Sequence, residues 1–344
     1  MASELYPLTF RANLHTALWG TESWEISGHR SSPSVVAEGP LAGRALDALA
    51  AEYGSRLTGT KAPVAGVFPL LFKVIDAQRR LSVQVHPNEA TRALTGGEPK
   101  TEMWYVLGGK GPIFAGLRPG TTPACIEEDV HTGRFEDALV RHDAREGLTL
   151  FIPGGLVHAI GEDVCVYEVQ QSSNTTYRLY DWGRVGANGK PRPLHVDASL
   201  KSIDFNLPPP APRADVACPF FRFRAVEAAG VVEVAANAET FTALFFVRER
   251  RSVLVPANCA ATIPYNGKVL VTNRTTYTFQ LDYATIPDTR AELNGVLLTA
   301  LDAMDAAGGT MTRPTNLCPF TGTYPDIEFC EEFTTNGAMY DEFD

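Results

Sequence analysis

The sequence lacks several features that would have narrowed its function at once. It has no Lys/Arg-rich run, and 40 acidic residues against 30 basic ones leave a net charge of −10. That balance does not suggest a nucleic-acid surface. An anionic substrate would have to be held by a few local positive charges or by a metal. There is no long apolar run either. The most hydrophobic stretch, VAGVFPLLFKVI, carries Pro69 and Lys73 and is too short to cross a bilayer, so no membrane partner is expected. The opening MASELYPLTFRANLHTALWG has no basic region followed by an apolar core, and no secretory leader is expected from it. Cysteine is sparse. Cys125, Cys165, Cys218, Cys259, Cys318 and Cys330 form no CxxC pair and no regular spacing, which reads as reduced thiols in a cytoplasmic protein.

What remains is a chain of 344 residues, 44% hydrophobic and 20% charged, the composition of a soluble globular protein. From Val64 to Val169 short segments rich in β-branched and aromatic residues alternate with Gly, Pro and Asn turns, and they predict strands: VFPLLFKVI, LSVQVH, EMWYVL, LTLFIP and VCVYEVQ. Before them, Leu41, Ala45, Leu49, Tyr53 and Leu57 repeat every four residues and predict a helix. The proline-rich FNLPPPAPRAD, Phe205 to Asp215, is the expected domain boundary, dividing residues 1–205 from 206–344. Strand patterns resume beyond it in VVEVAA, FTALFFV, SVLVPA, KVLVTN and TYTFQLDY. A helix is expected near 288–307, followed by an acidic tail. The expected fold class is mainly β, two β-rich modules with a few helices.

LSVQVH poses the functional question. On a strand, Gln84 and His86 point one way while Val83 and Val85 point the other. Two further donors stand at strand starts: Glu102 in KTEMWYVL and His158 in EGLTLFIPGGLVHAIG. In the latter, Pro153 and Gly155 make a tight turn that presents His158. Each residue has an ordinary structural reading alone. Gln84 can bond a neighbouring backbone, Glu102 can pair with Lys100, and a strand histidine is commonly core or surface. Together, an amide, two imidazoles and a carboxylate beside turns favour a metal site. Their nitrogen and oxygen donors suit Zn²⁺, with Mn²⁺, Fe²⁺ or Co²⁺ not excluded. His15, His29, His131, His142 and His195 have no comparable context.

The spacing Gly147, Pro153, Gly155, His158 resembles the second motif of the cupin superfamily, and Gln84-x-His86 with Glu102 resembles a stretched first motif. The resemblance implies an antiparallel jelly-roll barrel with donors pointing into its mouth. Longer words, FPLLFKVIDAQRRLSVQVHPN, KTEMWYVL, GLVHAIG and EVQQSSNTTYRLYDWGR, together with LWG and SWEIS near the N-terminus, resemble type I mannose-6-phosphate isomerases of the short bacterial form. The match runs over roughly residues 15 to 200 and fades after the linker. It implies one metal ion per chain on Gln84, His86, Glu102 and His158, and a catalytic arginine at Arg178. Arg184 competes for that role, or forms a salt bridge that holds its loop. Lys100 and Ser82 fall near family positions that approach the substrate.

The implied reaction interconverts mannose 6-phosphate and fructose 6-phosphate through a cis-enediol. Charge develops on O1 and O2, where a divalent cation and a guanidinium can stabilise it. Glu168 is either the base or an ordinary strand-face glutamate, and Lys100 is another proton carrier. Lys100, Arg178, Arg184 and Ser82 are candidate phosphate donors. Three other readings stay open at this stage: the same chemistry on another sugar phosphate, an iron-dependent cupin dioxygenase, and a regulator that binds a sugar phosphate without turning it over.

Overall fold

The computed structural model describes residues 4–185 and 189–274. The strand expected at TYTFQLDY, the helix expected near 288–307, Cys318, Cys330 and the acidic tail lie outside the described residues.

Two antiparallel sheets face each other. The first has six strands: β1 (Leu14–Ala17), β2 (Gly20–Ser27), β3 (Leu70–Ala77), β10 (Val164–Gln171), β5 (Glu102–Gly109) and β8 (Thr149–Ile152), in that order. The second has five: β11 (Tyr177–Tyr180), β4 (Val83–Val85), β9 (His158–Ile160), β6 (Pro112–Leu117) and β7 (Leu139–Asp143). Their strand order shuffles sequence neighbours between sheets, as a jelly roll requires. Every strand segment expected between Val64 and Val169 is present. The helical repeat yields α1 (Leu46–Tyr53) and the short α2 (Ser55–Thr58), with Leu41, Leu49, Tyr53 and Leu57 buried. Three helices were not expected: α3 (Arg92–Thr95), α4 (Pro123–Thr132) and α5 (Val196–Ser202). The signal for α4 was present in Thr122-Pro123. The Thr122 hydroxyl accepts from the Cys125 N–H, and Pro123 opens the helix where its missing N–H costs nothing. No helix among the described residues is long and apolar enough to cross a membrane.

The central strands of the six-stranded sheet are buried on both faces. Along β10, Val164 and Val166 pack inside the barrel with Ile75, Trp104 and Leu150, whereas Tyr167 and Val169 pack on the outer face. That double burial explains why VCVYEV reads as an almost unbroken apolar run instead of an alternation. A third sheet covers the outer face. It comprises β12 (Val216–Ala217), β13 (Arg222–Ala235), β16 (Ala260–Asn273), β14 (Thr242–Phe246) and β15 (Arg251–Val255). One continuous apolar layer joins Phe72, Tyr105 and Tyr167 to Phe221, Phe241 and Phe245. The N-terminal segment reaches the same sheet, where Leu8 and Leu254 exchange backbone hydrogen bonds of 2.7 and 2.9 Å. Residues 206–215 are free of helix and strand. They fold back along the barrel, where Arg213 donates from its backbone to the Thr149 carbonyl at 3.1 Å.

Candidate metal centre and its cavity

On β4 the two valines pack outward with Phe114, Phe135 and Leu179, so Gln84 faces the barrel interior. His86 follows at the strand end and is buried. The turn before β9 sits directly against it. The Gly155 N–H donates to the His86 carbonyl at 2.8 Å, and Gly155 has a φ of +98°, open chiefly to glycine. A Cβ on Gly154 would stand 2.8 Å from the Pro87 carbonyl oxygen. The Pro-Gly-Gly sequence therefore lets the two ligand-bearing strands approach. His158 pairs across from Gln84, and Glu102 opens β5 on the opposite sheet.

The donor atoms of His86, Glu102 and His158 all lie within 4.8 Å of one another. The two Nε2 atoms are 3.2 Å apart. His86 Nε2 is 3.5 Å from one Glu102 oxygen, and His158 Nε2 is 3.4 Å from the other. His158 donates its Nδ1–H to the Leu156 carbonyl at 2.8 Å, so Nε2 carries a lone pair aimed at the cluster. Burial drives His158 down to about 3. Burial, then the Lys100 charge, holds His86 well below the usual histidine value. Among the described residues neither Glu102 oxygen accepts a hydrogen bond of good geometry. Buried lone pairs and a buried carboxylate converging on one point repel each other unless a cation lies between them. Lys100 supplies one positive charge, its ammonium 2.8 Å from Glu102 and 3.1 Å from His86. A divalent ion on two imidazoles and a carboxylate satisfies the rest, and the residues present fit one.

Beside this centre lies a polar cavity of about 160 Å³ between the two sheets, lined in part by Gln84 and Lys100. On its six-stranded wall Lys73 stands 3.3 Å from Glu22 and 3.6 Å from Glu168. Each carboxylate also accepts from an indole: Glu22 from Trp24 at 2.8 Å, Glu168 from Trp104 at 2.9 Å. Glu168 has its second oxygen without a hydrogen-bond partner. Burial and the Glu102 charge raise its pKa above the ordinary 4.5, against the pull of Lys100 and Lys73. Burial presses Glu22 the same way, but Lys73 and the Trp24 indole outweigh it and leave Glu22 lowered. Lys100 is buried too. Burial works to discharge it, yet Glu102 and Glu168 hold its pKa above the ordinary value.

Arg178 and Ser82 line the same cavity. Arg178 donates through Nη1 to the Pro193 carbonyl at 2.9 Å, and its backbone N–H donates to His195 Nδ1 at 3.0 Å. Arg184 is not among the lining residues. It grips Asp181 through Nε and Nη2 at 2.9 and 2.6 Å and bonds the Arg80 carbonyl through Nη1. Of its two sequence readings, the geometry is that of the loop-holding ion pair. The sequence reading missed Glu22, Lys73 and Arg192 as lining residues. Lys73 carried a faint signal as a lysine inside an otherwise apolar strand. Glu22 and Arg192 carried none.

Facing sheets with an inward His/Glu/His cluster at one end define a metal-site barrel of the cupin class. Comparison with known proteins narrows the class. Residues 14–104 match the catalytic domain of phosphomannose isomerase type I. The mannose-6-phosphate isomerase of Streptococcus mutans is 33% identical over 221 residues, covering 59% of this chain and 69% of that one. A mannose-6-phosphate isomerase of Bacillus subtilis is 36% identical over 190 residues, 53% of this chain and 58% of that one. The crystal structure of mannose 6-phosphate isomerase from Bacillus subtilis superposes with a TM-score of 0.67 at 24% identity, over 79% of this chain and all of that one, which supports the shared fold. The chain belongs to the type I mannose-6-phosphate isomerase family.

Proposed function

We propose that the chain interconverts mannose 6-phosphate and fructose 6-phosphate through a cis-enediol, with one zinc ion held by Gln84, His86, Glu102 and His158. The observation that carries this reading is the convergence of the His/Glu/His cluster, Glu168 and Arg178 on one end of one barrel. When bound, the ion supplies Lewis-acid stabilisation of negative charge on substrate oxygens.

The remaining chemistry falls to side chains. The substrate C2–H loses its proton to a base and C1 receives one, while the O2 hydroxyl proton is passed to O1, so no outside reagent is consumed. Glu168 suits the base. Its Trp104 bond fixes the carboxylate, its other oxygen has no hydrogen bond and only the looser 3.6 Å ion pair with Lys73, and its raised pKa strengthens it as a base. Lys100 is less suited, because its charge is pinned to Glu102. Arg178 suits the oxygens on which charge develops, since a guanidinium keeps its proton and presents a planar fork. Gln84, as a neutral amide, is the weakest donor proposed.

A coupled assay on metal-exchanged protein, run with and without oxygen, tests the reading. Zinc-loaded protein should turn over mannose 6-phosphate in preference to other aldose and ketose phosphates. Oxygen-dependent turnover would favour the dioxygenase. Tight binding of sugar phosphate with no turnover would favour the regulator.

A further inference from the structure

Charge is divided unevenly around the cavity. On one wall Lys73 faces two carboxylates, Glu22 and Glu168. Next to the metal centre Lys100 faces Glu102. Two guanidiniums also line the cavity, Arg178 and Arg192; Asp181 pairs with Arg192 and with Arg184, and Arg178 bonds the Pro193 carbonyl instead.

We propose that Arg192 anchors the phosphate of the substrate, leaving Arg178 for the oxygens of the reacting carbons. The proposal rests on the sugar-phosphate reading above. Arg192 lines the cavity. Asp181 grips it in a two-point contact, Nε at 2.8 Å and Nη2 at 2.6 Å, which fixes the plane of the guanidinium. The next residue, Pro193, accepts the Nη1 hydrogen bond of Arg178, so one short segment sets the position of both arginines. Arg184 also holds Asp181, through the Oδ1 oxygen that Arg192 Nη2 shares, and does not line the cavity.

Solvation points the same way. A phosphate dianion is costly to strip of water, and it is best placed where hydration is partly kept. The Arg192 side chain is 22% exposed, against 6% for Lys73 and 5% for Lys100. Burial and the Arg192 charge both press against the Arg178 guanidinium, a repulsion that an intervening anion would relieve.

The test uses the zinc-loaded full chain and two unreactive probes, glucitol 6-phosphate and glucitol, with binding measured by calorimetry. Arg192→Gln should weaken glucitol 6-phosphate by about 10–100-fold, the range for a lost charge-assisted contact, and leave glucitol unchanged. Arg192→Lys should fall between, since it keeps the charge but not the two-point grip on Asp181. In turnover, the loss should appear in KM, with kcat within about threefold of wild type. Equal weakening of both probes, or undiminished binding of the phosphorylated probe, overturns the assignment. Failure of the functional reading is separate: wild type would then isomerise no sugar phosphate, while the calorimetric comparison still reports on Arg192.

Discussion

The Nε2 atoms of His86 and His158 stand 3.2 Å apart, and the Leu156 carbonyl holds the proton of His158 on the far side of the ring. Two ring nitrogens this close, each within 3.5 Å of a Glu102 oxygen, form a donor set that a shared cation would satisfy. His86→Ala and His158→Ala are each expected to lose bound metal and activity together, whereas Gln84→Ala should lose less of both. Elemental analysis and steady-state rates on the same samples check this. Chelation should lower Tm, because an ion that binds only the folded state stabilises it by mass action. A chelated protein that melts unchanged would show that the cluster does not bind an ion.

Arg178 should behave differently from the ligands. As a group that acts when charge develops, it should lower kcat more than it raises KM on change to Ala, by roughly 10²–10³-fold. Arg178→Lys should recover little, since a point charge on a flexible stem does not reproduce the fork. Metal content should not change. A fully metallated Arg178→Ala protein with near-normal kcat would remove the residue from the chemistry.

The pH profile tests Glu168. A base must be ionised, so activity is expected to fall as pH drops through its pKa. Burial and Glu102 raise that pKa, which places the acid limb above 4.5. Trp104→Phe deletes the indole donor that favours the ionised form, so the limb should move to higher pH. Glu168→Gln should cost about 10²–10⁴-fold in kcat while keeping its metal. An acid limb that survives unaltered in Glu168→Gln would assign the titration to another group.

Phe245 tests whether the sheets on either side of the proline-rich segment unfold together. Its ring is fully buried and stacks on Tyr167 at 4.5 Å, joining the third sheet to the outer face of the barrel. Phe245→Ala should cost about 3–5 kcal/mol of unfolding free energy. The loss should appear in one denaturation transition followed by both tryptophan fluorescence and far-UV circular dichroism. All four tryptophans precede the linker, so a fluorescence transition that does not shift in Phe245→Ala would show that the sheets melt separately.

The sequence by itself determined the strands of the barrel and placed Gln84 and His86 on one strand face and Glu102 and His158 at strand starts beside turns. These features are local. Period-two alternation sends Gln84 and His86 inward, and a Pro-Gly turn has a known hand and length. Arg178 was legible through the family word around it, and Glu168 as one of two readings. Tertiary structure decided the rest. Lys73 meets Glu22 and Glu168 because cross-strand register brings β2, β3 and β10 side by side, and no spacing along the chain encodes which residues end opposite one another. His195 looked unremarkable until α5 packed its ring against the Arg178 backbone. Arg184 and Arg192 were indistinguishable as letters. Both reach Asp181, but only Arg192 opens onto the cavity, because side-chain direction is set by the packing of the loop and not by residue type.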